Sequence, residues 1–258
     1  MTADIETLRH SRHALLSGFD EEGVDAVRSA RALVIGAGGL GCPAASYLSA
    51  CGIGTLHWVD GDTVDATNLA RQTLFGPHDI GKPKVEQGVA ALQRINPQVR
   101  FISEVRFADA EFLDKAVALA DVVLDCTDQW AIRQAINKAC VTHGVPLVSA
   151  AAIEWSGQLL VFNPSDQESA CYACVFDPAH QPVEHACGAY GVLAPLVGAM
   201  GCLQVAEALK LLVGKANGAM KTAVPQKLSL FDLKSGSIQQ LAVKKNPRCP
   251  VCGKSSSQ

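Results

Sequence analysis

Residues 32–41 read Ala32-Leu-Val-Ile-Gly-Ala-Gly-Gly-Leu-Gly41. An apolar run with no polar alternation suits a strand buried on both faces, as in a parallel sheet. Glycines at 36, 38, 39 and 41 then turn the chain sharply into a helix over Ala44–Cys51, which Gly52 and Gly54 close. In a strand, G-x-G-x-x-G turn and helix, backbone N–H groups and the helix N-terminus face an anion. Gly36, Gly38, Gly39 and Gly41 are therefore nucleotide-binding candidates.

The next strand, Leu56–Val59, ends at Asp60, whose carboxylate can accept hydrogen bonds from ribose hydroxyls. The alternation then continues: a helix over 83–94, a strand Val99–Val105, a helix over 109–118, a strand Val122–Leu124, a helix over 129–142 and a strand Leu147–Ser149. This predicts an α/β, Rossmann-like doubly wound sheet with ligands at the carboxyl ends of its strands. Helices over 5–17 and 21–29 precede it. After Ala152 the rhythm changes to an antiparallel strand Gln158–Phe162, a loop over 164–190, an apolar helix over 192–213 and strands near 227–232 and 237–243. The expected organisation is N-terminal helices (1–30), a nucleotide-binding core (31–155) and a continuous C-terminal half (156–258).

Hydrophobic residues are 48% of the 258, enough for a full core, and the net charge is −3 with no Lys/Arg run. No nucleic-acid partner is expected on that basis, because phosphate binding needs a basic stripe. The 192–213 helix contains Gln204, Glu207 and Lys210, so a buried helix is expected rather than a membrane span. Met1–Arg12 is polar and mixed in charge, so a cytoplasmic location is expected.

Polar groups recur just beyond strand ends: Asp60-Gly-Asp62, Asn68-Leu-Ala-Arg71-Gln72, Gly81-Lys82-Pro-Lys84 and Asp125-Cys-Thr-Asp128-Gln129. Arg forks onto phosphate oxygens, Lys supplies a point charge, and Asp holds Mg²⁺. Cations and an Asp around a phosphate cradle suit chemistry at phosphorus. Each cation taken singly also reads as a solvated loop charge.

Cys171-Tyr-Ala-Cys174 and Cys249-Pro-Val-Cys252 form two C-x-x-C knuckles. Four thiolates suit a closed, structural, tetrahedral Zn²⁺ site. Cys42, Cys51, Cys126, Cys140 and Cys202 are expected in the core, and Trp58, Trp130 and Trp155 in packing. His143 and His180 read as surface or loop histidines. Cys187, in a loop beside His185, has two readings: a thiol that receives the activated acyl group or sulfur, or a dispensable loop cysteine.

In order, GAGGLG, VDGDTVDATNLARQ, GKPKVE, DCTDQW and GVLAPLVG resemble the ubiquitin-activating-enzyme superfamily in its MoeB/ThiF/HesA branch, over about Arg9 to Gly253. The resemblance implies an enzyme that spends MgATP to adenylate the C-terminal glycine of a ubiquitin-like sulfur carrier ending in Gly-Gly, in molybdopterin or thiamine biosynthesis. It places Gly39 beside the phosphates and Asp60 on the ribose. Asn68, Arg71 and Lys84 would contact phosphates, and Asp128 would bind Mg²⁺. The zinc site also belongs to the family. Arg12 matches an arginine that enters the partner subunit's active site, which implies a homodimer. Gln129 departs from the Asn of relatives and offers the same amide from a longer arm. No rhodanese-like extension follows Gly253, so sulfur is expected from a separate donor, a cysteine desulfurase or similar. The alternatives are another peptide or tRNA acceptor, a nucleotide-binding relative without catalysis, or an NAD-dependent oxidoreductase, for which only the glycine turn and Asp60 speak.

Overall fold

A computed structural model of the protein describes residues 5–181, 190–218 and 227–253. Two short helices, α1 (Ile5–Ala14) and α2 (Asp20–Ser29), lead into a parallel βα alternation. It comprises β1 (Arg31–Ile35), α3 (Gly41–Ala50), β2 (Thr55–Val59), α4 (Lys84–Ile95), β3 (Arg100–Glu104), α5 (Ala110–Val117), β4 (Val122–Asp125), α6 (Trp130–His143) and β5 (Leu147–Ile153). β6 (Ser156–Phe162), the short α7 (Tyr172–Val175), α8 (Ala194–Asn217), β7 (Lys227–Asp232) and β8 (Ser237–Ala242) follow.

All eight strands join one sheet in the order β3-β2-β1-β4-β5-β6-β7-β8, the first five parallel and the rest antiparallel. The doubly wound fold expected from the sequence is present. The winding reverses between β1 and β4, where such sheets open a crevice.

β1 explains why its sequence does not alternate in polarity. Ala32 and Val34 pack into one layer with residues of α3, α4 and α8, while Leu33 and Ile35 pack into the other with α5 and α6. Both faces exclude water, and Leu33, Val34 and Ile35 each contribute about 1.5–3 kcal/mol on burial.

α8 is 24 residues long and apolar enough to span a bilayer by length and composition, yet it is mostly buried against α2, α3 and β4–β6. Buried Gln204 fixes its register: Nε2 donates to the carbonyls of Asp125 (2.8 Å) and Val148 (3.0 Å), and Oε1 accepts from the Cys126 thiol. Glu207, also buried, pairs with Lys210.

Several expectations need correction. β5 runs to Ile153, not Ser149, because its whole length pairs with β6. Cys51 and Cys202 are half-buried rather than core, and Trp155, in the β5–β6 turn, is 45% exposed. His143 lies at the surface as expected, where it pairs with Asp114 at 2.7 Å.

Candidate active site

An open cleft of about 1490 Å³ lies over the carboxyl ends of the parallel strands. Gly36 leaves β1 with φ +101°, and a Cβ there would lie 2.7 Å from the Cys126 carbonyl oxygen. At Gly41 a Cβ would lie 2.0 Å from the Gly36 carbonyl oxygen. Only glycine permits this cradle, which is what a phosphate-binding turn requires.

Asp60, at the end of β2, holds the cradle from the side. Its Oδ2 accepts from the Ala37 N–H at 2.6 Å and its Oδ1 from the Asp62 N–H at 2.7 Å. Lys84, the first residue of α4, is buried and donates to Asp62 Oδ2 at 2.9 Å. It is not a solvated loop charge.

The polar loop after β2 contains a 3₁₀ turn, Ala66–Asn68, capped by Asp65. Thr67 donates to Asp65 Oδ1 through its N–H (2.8 Å) and hydroxyl (2.6 Å), and these bonds hold the Asp65 carboxyl below its ordinary pKa. Arg71 Nη1 in turn donates to the Thr67 carbonyl at 2.9 Å. Gln72 is buried, and its Oε1 has no hydrogen-bond partner among the described residues.

The loop after β4 closes the opposite wall. Both Asp125 oxygens are engaged below it, Oδ1 by the Thr127 N–H (3.0 Å) and hydroxyl (2.7 Å), Oδ2 by the Ser149 hydroxyl (2.7 Å). Asp128 and Gln129 follow at the exposed rim.

Of the candidate nucleotide residues, Gly36, Gly38, Gly39, Asp60, Asp62, Asn68, Arg71, Gln72, Lys84, Asp128 and Gln129 all line this cleft. Gly41 supports it from beneath. Arg12, on exposed α1, does not line the cleft of its own chain. Cys187 and His185 lie outside the described residues. Arg133 also lines the cleft, which the sequence reading missed. A cation in the first turn of a helix, where the dipole opposes it, was the available signal.

Beyond the cleft, the sulfurs of Cys171, Cys174, Cys249 and Cys252 lie within 4.8 Å of one another and can hold a metal ion. The Cys174 thiol has a lowered pKa, first through the Cys171 thiol and also through the Asn246 N–H at 3.4 Å. Elsewhere burial pushes Cys42 up to about 12 and raises Cys126 and Cys140, so these thiols stay protonated.

The fold and cleft define a doubly wound α/β protein whose cations and carboxylates share one cleft with a glycine cradle at the switch point. The chain belongs to the ThiF family, whose model matches residues 10–251. It is 42% identical over 254 residues to the sulfur carrier protein ThiS adenylyltransferase of Escherichia coli (strain K12), covering 98% of each chain. It is 41% identical over 253 residues to that organism's molybdopterin-synthase adenylyltransferase, covering 97% of this chain and 98% of the relative. The crystal structure of E. coli MccB superposes with a TM-score of 0.82 at 22% identity, covering 98% of this chain and 74% of that one, a likeness of fold alone.

Proposed function

We propose that this protein adenylates the C-terminal glycine carboxylate of a ubiquitin-like sulfur carrier, using ATP. The observation that carries the reading is that Arg71, Lys84 and Asp128 line one cleft with the glycine cradle. The two E. coli adenylyltransferases it resembles over nearly their full length support the choice of substrate class.

A carboxylate oxygen of the carrier attacks the α-phosphorus, the bond to the bridging oxygen breaks, and pyrophosphate leaves. The attacking carboxylate is already ionised near neutrality, so no general base is needed. Arg71 and Lys84 stabilise charge growing on the phosphate oxygens, and Asp60 orients the ribose. Asp128 would hold Mg²⁺, which neutralises phosphate charge when bound.

Arg12, exposed on α1, fits delivery into a partner subunit's cleft and hence a homodimer. The four cysteines fit structural zinc. Zn–S bonds of about 2.3 Å give tetrahedral S···S edges near 3.8 Å; three of the six edges are 3.3, 3.7 and 3.9 Å, and all lie within 4.8 Å. The sulfur comes from a separate donor such as a cysteine desulfurase. Cys187 stands as a candidate acceptor of the activated acyl group.

The test is intact-mass analysis of small carriers with free Gly-Gly ends after incubation with ATP and Mg²⁺. The expected product is a carrier bearing AMP, absent when the last glycine is removed. Stabilisation by NAD but not ATP, with no carrier modified, would overturn the reading.

A further inference from the structure

Arg133 is the fourth residue of α6 and is 6% exposed. A buried cation in the first turn of a helix works against both desolvation and the helix dipole. Its surroundings show what offsets this. Nη2 donates to the Thr127 carbonyl and, at 3.0 Å, to the Ala150 carbonyl on β5. The side chain lies close to the Tyr172 phenol and in the field of Asp125 and Asp128.

Thr127 is thereby held from both sides. Asp125 takes its N–H and hydroxyl, and Arg133 takes its carbonyl. The next residue is Asp128. Tyr172 lies between Cys171 and Cys174. Its N–H donates to Asn137 Oδ1 at 2.8 Å, and its ring packs on Phe176 (4.6 Å between centroids) and Trp130 (6.1 Å). A continuous set of contacts thus joins the four-cysteine cluster to the loop that presents Asp128.

We propose that Arg133 is a positioning residue for adenylation: it ties the Thr127–Asp128 peptide to β5, beside Tyr172 of the four-cysteine segment, so that the Asp128 carboxylate is aimed into the cleft. Arg133 touches the loop rather than the reacting atoms, and the proposal rests on the adenylation reading above. Through Nη2 the guanidinium bridges the Thr127 and Ala150 carbonyls at once. A lysine keeps the charge but not the geometry.

The test compares wild type with Arg133→Lys, Arg133→Met and Tyr172→Phe. Tyr172→Phe removes one oxygen and keeps the ring packing. Two quantities are read on folded protein: kcat and KM for ATP in carrier-dependent pyrophosphate exchange, and the Mg²⁺ concentration that half-saturates tight ATP binding. A carboxylate displaced by about 1 Å costs roughly a hundredfold in rate. The expectation for Arg133→Met is a kcat lower by about that factor, with KM for ATP changed by less than about threefold. Its half-saturating Mg²⁺ rises. Arg133→Lys recovers only part of the loss, and Tyr172→Phe shows a smaller shift in the same direction.

Wild-type kcat and Mg²⁺ dependence in all three variants would overturn the proposal. So would losses that merely follow the folded fraction. The Mg²⁺ titration of ATP binding needs no carrier, so it decides the positioning role independently. Absence of exchange in the wild type with every carrier would instead count against the adenylation reading.

Discussion

Replacing Gly36 with alanine tests the switch point directly. The φ of +101° is disfavoured for any L side chain, and the left-handed region costs about 1–2 kcal/mol. The new Cβ would also lie 2.7 Å from the Cys126 carbonyl oxygen, where ordinary contact begins at 3.4 Å. The ends of β1 and β4 would have to part, although Ile35 pairs with Asp125 and the Cys126 N–H donates to the Ile35 carbonyl at 2.9 Å. Overpacking of this kind costs about 1–3 kcal/mol. Together the two terms come to about 2–5 kcal/mol. At about 2–4 °C per kcal/mol for a chain of this size, Tm should fall by roughly 4–20 °C. The same separation moves the cradle amides away from the Asp128 loop, so ATP affinity should fall at least about tenfold, or 1.4 kcal/mol. Gly144→Ala is the control. Gly144 has φ +64° at the C-terminus of α6, with nothing within 4 Å of a Cβ. It should cost only about 1–2 kcal/mol of backbone strain and leave ATP binding unchanged. Differential scanning fluorimetry and calorimetric ATP titration read both effects. Gly36→Ala with wild-type Tm and ATP affinity would refute the reasoning, as would a Gly144→Ala variant equally impaired in ATP binding.

Three further outcomes are expected. Asp128→Ala and Arg71→Ala should each lower carrier-dependent pyrophosphate exchange by roughly a hundredfold or more, with Tm within about 2 °C of wild type because both lie at the cleft wall. Metal analysis should find one zinc per chain, and Cys249→Ser should lose it and unfold at lower temperature, since buried Cys249 ties the tail to Cys171. His10 and His57 have lowered pKa values, in each case chiefly through burial, with the charges of Arg28 and Arg31 next. The unfolded chain therefore binds protons more readily, so their contribution to stability is present above about pH 6.5 and is lost as pH falls through the lowered native values. Thermal melts between about pH 7 and pH 5 should steepen accordingly, and His10→Gln with His57→Gln should flatten that slope.

The sequence carried the parallel half of the sheet well, because strands buried on both faces must be apolar throughout, as Leu33–Ile35 and Val122–Leu124 are. It understated β5, because Ala150, Ala151 and Ala152 have little strand preference of their own. They are extended because β6 pairs with them along its length. The motifs placed the cradle and the polar loops in one cleft, since their chemistry lies in local spacing. What stayed hidden was long-range polar packing. Gln204 reads as one polar residue on an apolar helix, and its carbonyl partners lie 79 and 56 residues away. Arg133 reads as an ordinary helical cation until Ala150 and Tyr172 are brought against it. Nor does a helical period distinguish the buried ring of His10 on α1 from the exposed Leu8 beside it.

The most direct test of the central claim is ATP–pyrophosphate exchange with purified protein, Mg²⁺ and a panel of small carriers ending in Gly-Gly. The account predicts exchange with a specific carrier, lost when its terminal glycine is removed and lost in Asp128→Ala. Zinc-containing protein that binds ATP but exchanges pyrophosphate with no carrier would contradict it.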